Sequence, residues 1–509
     1  MKSRIAVLAV SLILLWVLPV AAQDSGAALR EQLRAYRSTH EKQILGEFVN
    51  LLSIPNHAGD TANIERNAQA VAAMLRARGA AVKLLRIPGA SPVVFGELHS
   101  PGASRTVGIY AHYDGQPVDA AQWQSPPFSP VLRDTAGKVV EWKSQERFDP
   151  QSRLYARSSS DDKAPIEASM AALDGLRAAH VAPSINVKFF FEGEEEAGSP
   201  HLAEILARNP EALEADAWLL CDGPVHQSGR MQVDYGARGD IDVELTVYGP
   251  ARPLHSGHYG NWAPNPIVLL THLLDSMRDG DAHILIPGFY DDVRPLTAGE
   301  RGMLAQTPAA DEQLQQELAI AQPEGGGAKL AEQILKPAIN VRGIQAGHVG
   351  ELATNVISTE ARASLDIRLV PNQTPERVRQ EVEQHIARQG FFLVHETPDL
   401  ATRRAHARVV KLEWGAGYPA YRAAVDSAMA KAVVRTIEQA TGRPLIQVVS
   451  LGGSVPMYLF EGKEHRPVIG VPIANADNNQ HAANENLRLQ NLWDGVEVFG
   501  MVFARLGEN

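Results

Sequence analysis

Phe189 to Ser199 reads FFFEGEEEAGS, three aromatics followed by four glutamates within five positions. Carboxylates crowded at the end of an apolar run repel one another and lose hydration, so such a cluster is costly unless cations neutralise it. Four other places offer the ligands those cations need: His112 in AHYDGQP, Asp161 in SSSDDKAP, Asp222 in LLCDGP and His481 in NNQHAANEN. Zinc takes imidazole nitrogen and carboxylate oxygen where thiolates are absent, and with Cys221 as the one cysteine a multi-thiolate site is excluded. The expectation is a pair of divalent ions, with Glu196 as the ligand from the acidic cluster. Each residue alone has a plainer reading. A histidine after a strand is a satisfied polar group, Asp161 or Asp162 before KAPIEASMAALDG is a helix N-cap, and EGEEE is a solvated loop.

Apolar periodicity supplies the elements that would hold these residues. Two helical stretches, ALREQLRAYRSTHEKQILGEFVNLLSI and NIERNAQAVAAMLRARGA, come first, the second closed by Gly79. Strands VVFGEL, TVGIYAH, INVKFFFEG and AWLLCD then alternate with helices APIEASMAALDGLRAA and HLAEILARN, which predicts an α/β sheet covered on both faces. His112, Asp114, Glu195, Glu196 and Asp222 all fall just past strand ends, where ligand sites of open α/β sheets lie. Near Gly239 the pattern changes to a β-α-β-β-α-β order, from DIDVELTVYG through NPIVLLTHLLDSMRD, AINVRGIQAG, EARASLDIRLV and TPERVRQEVEQHIARQ to FFLVHET. A long excursion containing Gly325-Gly326-Gly327 interrupts it, and the α/β pattern resumes from Val425. The predicted organisation is a segment at 1–22, a first α/β part at 23–238, an inserted α+β domain at 239–413 and a second α/β part at 414–509.

Together the motifs resemble the carnosinase, carboxypeptidase G and succinyl-diaminopimelate desuccinylase family of co-catalytic zinc hydrolases. HYDGQP, SSDDK, EGEEEAGS, CDGP, LHSGHYG, IRLVPNQTPE and GGSVP occur in that family's order, and ILIPGFYDDV is similar to the dipeptidase branch that includes carnosinase. The resemblance implies a zinc-exopeptidase-like catalytic domain, with a mixed, mostly parallel sheet between helices, and a ferredoxin-like lid that also dimerises. It implies one ion on His112 and Asp222, the other on Glu196 and His481, with Asp161 bridging both and a cis Asp161-Asp162 peptide. The ions are expected to be Zn2+, with Mn2+ or Co2+ as substitutes. Glu195 is then the general base acting on a water held between the ions, and Asp114 orients His112. In the lid, His255 is expected to reach the partner subunit's active site, Asn355 to add a further lid contact, and Arg368 with Ser454 to grip a substrate carboxylate. Two departures stand out: Ala156, Ser158 and Ala164 occupy positions where glycine is common in the family, and Ala416 stands where carnosinase-like enzymes have a histidine.

The bulk properties fit a soluble globular protein of two domains. The chain has 509 residues, too many for a single core, with 45% apolar and 21% charged residues, as in ordinary globular proteins. A net charge of −11 argues against nucleic acid as a partner, and a lone cysteine forbids an intramolecular disulfide. Lys2 and Arg4, the apolar run Ile5 to Leu18 and the small residues before Gln23 predict a cleaved export peptide, hence a periplasmic or secreted protein. The leading expectation is a hydrolase of dipeptides or short peptides with a free carboxylate. An N-acyl amino acid deacylase or desuccinylase would use the same site. A binding protein on a hydrolase fold without turnover would be expected to lack a ligand or the base, and none of His112, Asp161, Glu195, Glu196, Asp222 or His481 is missing. A serine hydrolase is disfavoured because Ser454 lacks the nucleophile-elbow pattern.

Overall fold

The computed structural model describes residues 25–462 and 464–508, so the predicted export peptide lies outside the described residues. An eight-stranded mixed sheet forms the larger layer, in the order Ala81–Leu85, Val93–Leu98, Asn186–Glu192, Thr106–His112, Ala217–Leu220, Val468–Gly470, Gln232–Asp234, Ile446–Val448. Thr106–His112 runs parallel to both of its neighbours and Ala217–Leu220 parallel to Val468–Gly470, so these strands point the same way at the centre. Successive side chains of a strand face opposite ways. Phe189 accordingly meets Phe503 of the helix Leu489–Arg505, whereas Phe190 meets Trp218 and Phe460, the latter in the helix Met457–Glu461. Both faces are therefore covered, which is why these strands read as unbroken apolar runs. The helices Ser25–Leu52, Lys163–Ala178, Ala428–Thr441 and Leu489–Arg505 pack on one another and close the core. Gly79 takes φ +89°, ending the helix Thr61–Ala77 as its position predicted.

A second sheet, of five strands, has its own core. Its order is Ala338–Gln345, Glu360–Leu369, Gly239–Tyr248, Val409–Trp414, Phe392–Val394. In Gly239–Tyr248 the residues Ile241, Val243, Leu245 and Val247 are buried against the helices Pro266–Asp275 and Pro375–Arg388, while Asp240, Asp242 and Glu244 lie on the opposite face. FFLVHET forms a strand over Phe392–Val394, parallel to Val409–Trp414 on its outer side; Val409–Trp414, a strand the sequence pattern did not include, lies beside Gly239–Tyr248. VVKLEW buries Val409, Val410 and Leu412, whereas Phe392 is exposed, so the later segment has the side chains a central strand needs.

A small three-stranded sheet bears directly on the site. Asn486–Arg488 pairs with Arg153–Tyr155, which pairs with Val131–Arg133, and this brings the loop before Asn486 against the loop that follows Tyr155. Those loops carry His481 and Asp161.

Candidate metal centre

Thr106–His112 ends at His112, whose imidazole is fully buried between two carboxylates. Nδ1 lies 3.2 Å from Asp114 Oδ1, and Nε2 lies 3.0 Å from Asp161 Oδ1. The second oxygen of Asp161 lies 3.1 Å from Nε2 of His481, which in turn is 3.3 Å from Glu196 Oε2. One carboxylate thus touches both histidines, and the Asp161–Asp162 peptide between them and the following helix is cis. His112, Asp161 and Glu196 offer ligand atoms all within 4.8 Å of one another, as do His112, Asp162 and Asp222. Asp162 stands at the N-cap of the helix Lys163–Ala178, one of the positions the sequence offers for it, but its side chain makes no capping bond and lies buried inside the cluster, with Oδ2 accepting from the His112 backbone N–H at 3.3 Å.

The four glutamates of the opening motif divide into two pairs. Glu192 accepts from the Tyr110 hydroxyl at 2.7 Å, and Glu194 accepts from Ser91 N and from the backbone and ring of His201, so these two fix the loop. Gly193 is needed because a Cβ there would collide with the Tyr113 ring. Glu195 and Glu196 face the cluster. Asp114 accepts from both of their backbone N–H groups, at 3.2 and 3.0 Å, so a single aspartate orients His112 and seats the acidic turn. Gln116 Nε2 donates to Glu196 Oε2 at 2.6 Å, and Glu195 Oε2 stands 3.9 Å from His112 Nε2.

The electrostatics are those of a site built for cations. Burial, with Asp161 nearby, pushes the Glu196 carboxyl up to about 7 and that of Asp222 up to about 6; burial also raises Glu195. Asp161 is also desolvated, but the His112 and His481 imidazoles outweigh this and hold its carboxyl below the usual range. His481 is raised, first by Asp161. His112 is raised by Asp114 and Asp161 against the opposing effect of burial. Asp161 Oδ2 and Asp162 Oδ1 are buried without an in-line hydrogen-bond donor, which is the condition of an oxygen meant for a metal. Divalent ions fit this donor set: two imidazoles with several carboxylates and no thiolate suit zinc or a similar dication.

A pH dependence follows for the protein stripped of metal. Asp222, Glu196, Glu195, His112 and His481 all have folded values above their unfolded ones, so their contribution is full at low pH and lost as pH rises through the folded values. Asp161 has the opposite sign and acts only below about pH 4. Chelated protein is therefore expected to lose thermal stability from about pH 5 to about pH 8. Added Zn2+ should restore more at the upper end, because the ligands must be deprotonated. Melting curves with and without Zn2+ check this, and a chelated Tm that rises across the window would contradict it.

On the substrate side, Arg368 Nη1 donates to Ser454 Oγ at 3.0 Å, joining two residues far apart in sequence. Glu195, Ser454, Val455, Pro456 and Leu459 line a cavity with Tyr418 and Tyr458, whose rings stack 5.8 Å apart. The two tyrosines carried no signal in sequence. His255 and Asn355 are adjacent: Ser256 N donates to Asn355 O at 2.9 Å beside the two-stranded antiparallel ladder of Leu254–His255 and Val356–Ile357. The exposed His255 ring contacts only its own neighbours, His258 and Gly257, and no hydrogen bond or ion pair joins it to the metal cluster among the described residues. Of the three positions where glycine was expected, only Ser158 takes a left-handed conformation, at φ +61°. Its hydroxyl accepts from Asn56 Nδ2 and donates to Asp114 O, which holds a serine in glycine's usual role.

Residues 108–505 match the model of Peptidase family M20/M25/M40. The chain is 27% identical over 427 residues to the Beta-Ala-His dipeptidase of Mus musculus, covering 82% of this chain and 80% of that one. It is 26% identical over 414 residues to the Cys-Gly metallodipeptidase dug1 of Schizosaccharomyces pombe, covering 80% and 81% respectively. Among solved structures it is similar to an M20 family metallo-carboxypeptidase from Sulfolobus solfataricus, with TM-score 0.76, 26% identity and coverage of 92% of this chain and 99% of that one.

Proposed function

We propose, for a chain that belongs to Peptidase family M20/M25/M40, that it is a dipeptidase hydrolysing the amide bond next to a free carboxylate. Metallopeptidase chemistry comes with the family, and dipeptides are the substrates named for its relatives. The observation that carries the reading is Asp161, placed with one oxygen against His112 and the other against His481. Two dications, Zn2+ by preference with Mn2+ or Co2+ also suited to these donors, would be held by His112, Asp222, Glu196 and His481 around Asp161. When bound, they polarise the scissile carbonyl and lower the pKa of water. Glu195 takes the proton of the attacking water and delivers it to the leaving amine. Arg368 and Ser454 hold the terminal carboxylate. The cavity between Glu195 and Ser454 then receives the side chain of the C-terminal residue, and its tyrosine, valine, proline and leucine walls suit an apolar one.

The test is a screen of dipeptides against N-acyl amino acids on metal-loaded protein. Highest kcat/KM on dipeptides with an apolar C-terminal residue supports the reading. Preference for acyl amino acids lacking a free amine would replace it with a deacylase.

We further read the protein as a homodimer in which His255 serves the neighbouring site. What supports this is the exposure of His255 together with exposed Trp262, Val349 and Leu352 and an edge strand, Ala338–Gln345, largely open to solvent. His255→Ala is expected to lower turnover about 10²–10³-fold at unchanged metal content. Mixing it with a Glu195→Gln chain should restore activity, since the mixed dimer contains one complete site. Failure of mixed, exchanging dimers to regain activity would overturn the role. The leader at residues 1–22 is read as an export peptide, placing the mature chain in the periplasm or outside the cell; Gln23 as the mature N-terminus would support this.

A further inference from the structure

We propose that Glu485 is a positioning residue that fastens the Asp161 loop to the root of the His481 loop, so that the two halves of one metal site are set by a single buried carboxylate. Glu485 is 0% exposed. Its Oε1 accepts from Ser160 N at 2.9 Å, Ser160 Oγ at 2.9 Å and Asp161 N at 3.0 Å. Its Oε2 accepts from Ser158 N at 2.9 Å and from Arg157 Nη1 at 2.8 Å. The Glu485 carbonyl also accepts from Ala156 N at 3.1 Å, so the stretch from Ala156 to Asp161 is gathered on one residue.

The other end of the linkage is equally defined. Glu485 is followed by Asn486, whose N–H donates to Asn478 O at 2.8 Å and whose side chain donates to the same carbonyl. That pair closes the base of the loop with His481 at its tip, where His481 itself takes φ +61°. Displacing Glu485 therefore moves Asp161 relative to His481, whose facing atoms stand 3.1 Å apart. Only a carboxylate serves here. Five donors converge on two oxygens, and an amide would turn an NH2 toward one set of them, leaving buried N–H groups without acceptors. The Arg157 guanidinium, stacked over Trp123 at 5.2 Å, balances the charge locally, so the carboxylate need not draw on the cations. The same bonds hold Ser158 in its left-handed conformation, which accounts for a loop built without the expected glycines.

This inference rests on Asp161 and His481 sharing an ion, and its test separates the two claims. Zn2+ binding is measured by titration calorimetry and metal content for wild type, Glu485→Gln, Ser160→Ala and Arg157→Lys, beside the Tm of each after chelation. For Glu485→Gln the expected result is about 10–100-fold weaker binding of at least one Zn2+, with kcat largely recovered at saturating metal. Ser160→Ala and Arg157→Lys should weaken binding less, in the same direction. A lower chelated Tm with unchanged Zn2+ affinity would mean a merely structural role and overturn the proposal. If Glu485→Gln does not fold, unchanged affinity in both milder variants overturns it equally. Wild-type protein that binds fewer than two ions would instead count against the metal centre itself.

Discussion

Glu195→Gln is expected to lower kcat about 10²–10⁴-fold while leaving two metal ions on each chain. The substitution keeps the shape of the side chain and removes its ability to take a proton. The structure separates the roles of the adjacent glutamates. Glu196 is held by Gln116 and lies against His481, as a ligand would, whereas Glu195 approaches the cluster at 3.9 Å from His112, leaving room for a water or substrate atom. Its backbone is pinned by Asp114, so the carboxylate is aimed without being consumed by a hydrogen bond to a neighbouring side chain. Burial raises the Glu195 carboxyl, and a pair of dications next to it would favour the charged form that a base needs. Metal analysis and steady-state kinetics on the same preparation decide the matter. If Glu195→Gln loses an ion and Glu196→Gln retains both, the two residues have exchanged roles.

The contrast between those neighbours shows which parts of the site were legible in sequence. His112, Asp222 and the acidic turn stand at the ends of apolar runs, and a chain that buries such runs in one sheet must place their ends along one edge. Ligand candidates could therefore be chosen by chemistry and position alone. Pairing order could not: Asn186–Glu192 enters between Val93–Leu98 and Thr106–His112, strands that come earlier in the chain, and no local pattern encodes that insertion. The strand Val409–Trp414 went unread for a related reason, since the apolar triplet Phe392–Val394 at the sheet's outer edge has the same composition as a central strand. Glu485 was invisible because a buried acid with five donors and a solvated acid read alike in NNQHAANEN; its meaning lies wholly in the loop it meets. The excursion between the lid strands was likewise unreadable. It is anchored by Glu300, which caps its own helix from the buried side and forms ion pairs at 2.9 Å with both Arg294 and Arg422, a linkage between segments more than a hundred residues apart.

Asp161→Asn should have the largest effect of any single change: loss of both ions and of measurable activity. Asp161 spans the cluster, with Oδ1 3.0 Å from His112 and Oδ2 3.1 Å from His481. Asparagine would keep one oxygen and replace the other by an NH2 group that cannot ligate, while removing a full negative charge from between two dications. His112→Ala or His481→Ala should each weaken mainly one ion. If the sites were independent, the free-energy costs of removing the two histidines would add. With a shared aspartate they should not, because the first ion lost frees an Asp161 oxygen and alters the charge facing the second. Zn2+ affinities of the two single histidine variants and their double variant measure the coupling, and metal content of Asp161→Asn tests the bridge. Two ions retained by Asp161→Asn, or strictly additive histidine costs, would mean that the cluster holds its metals separately and that the bridge is not what joins them.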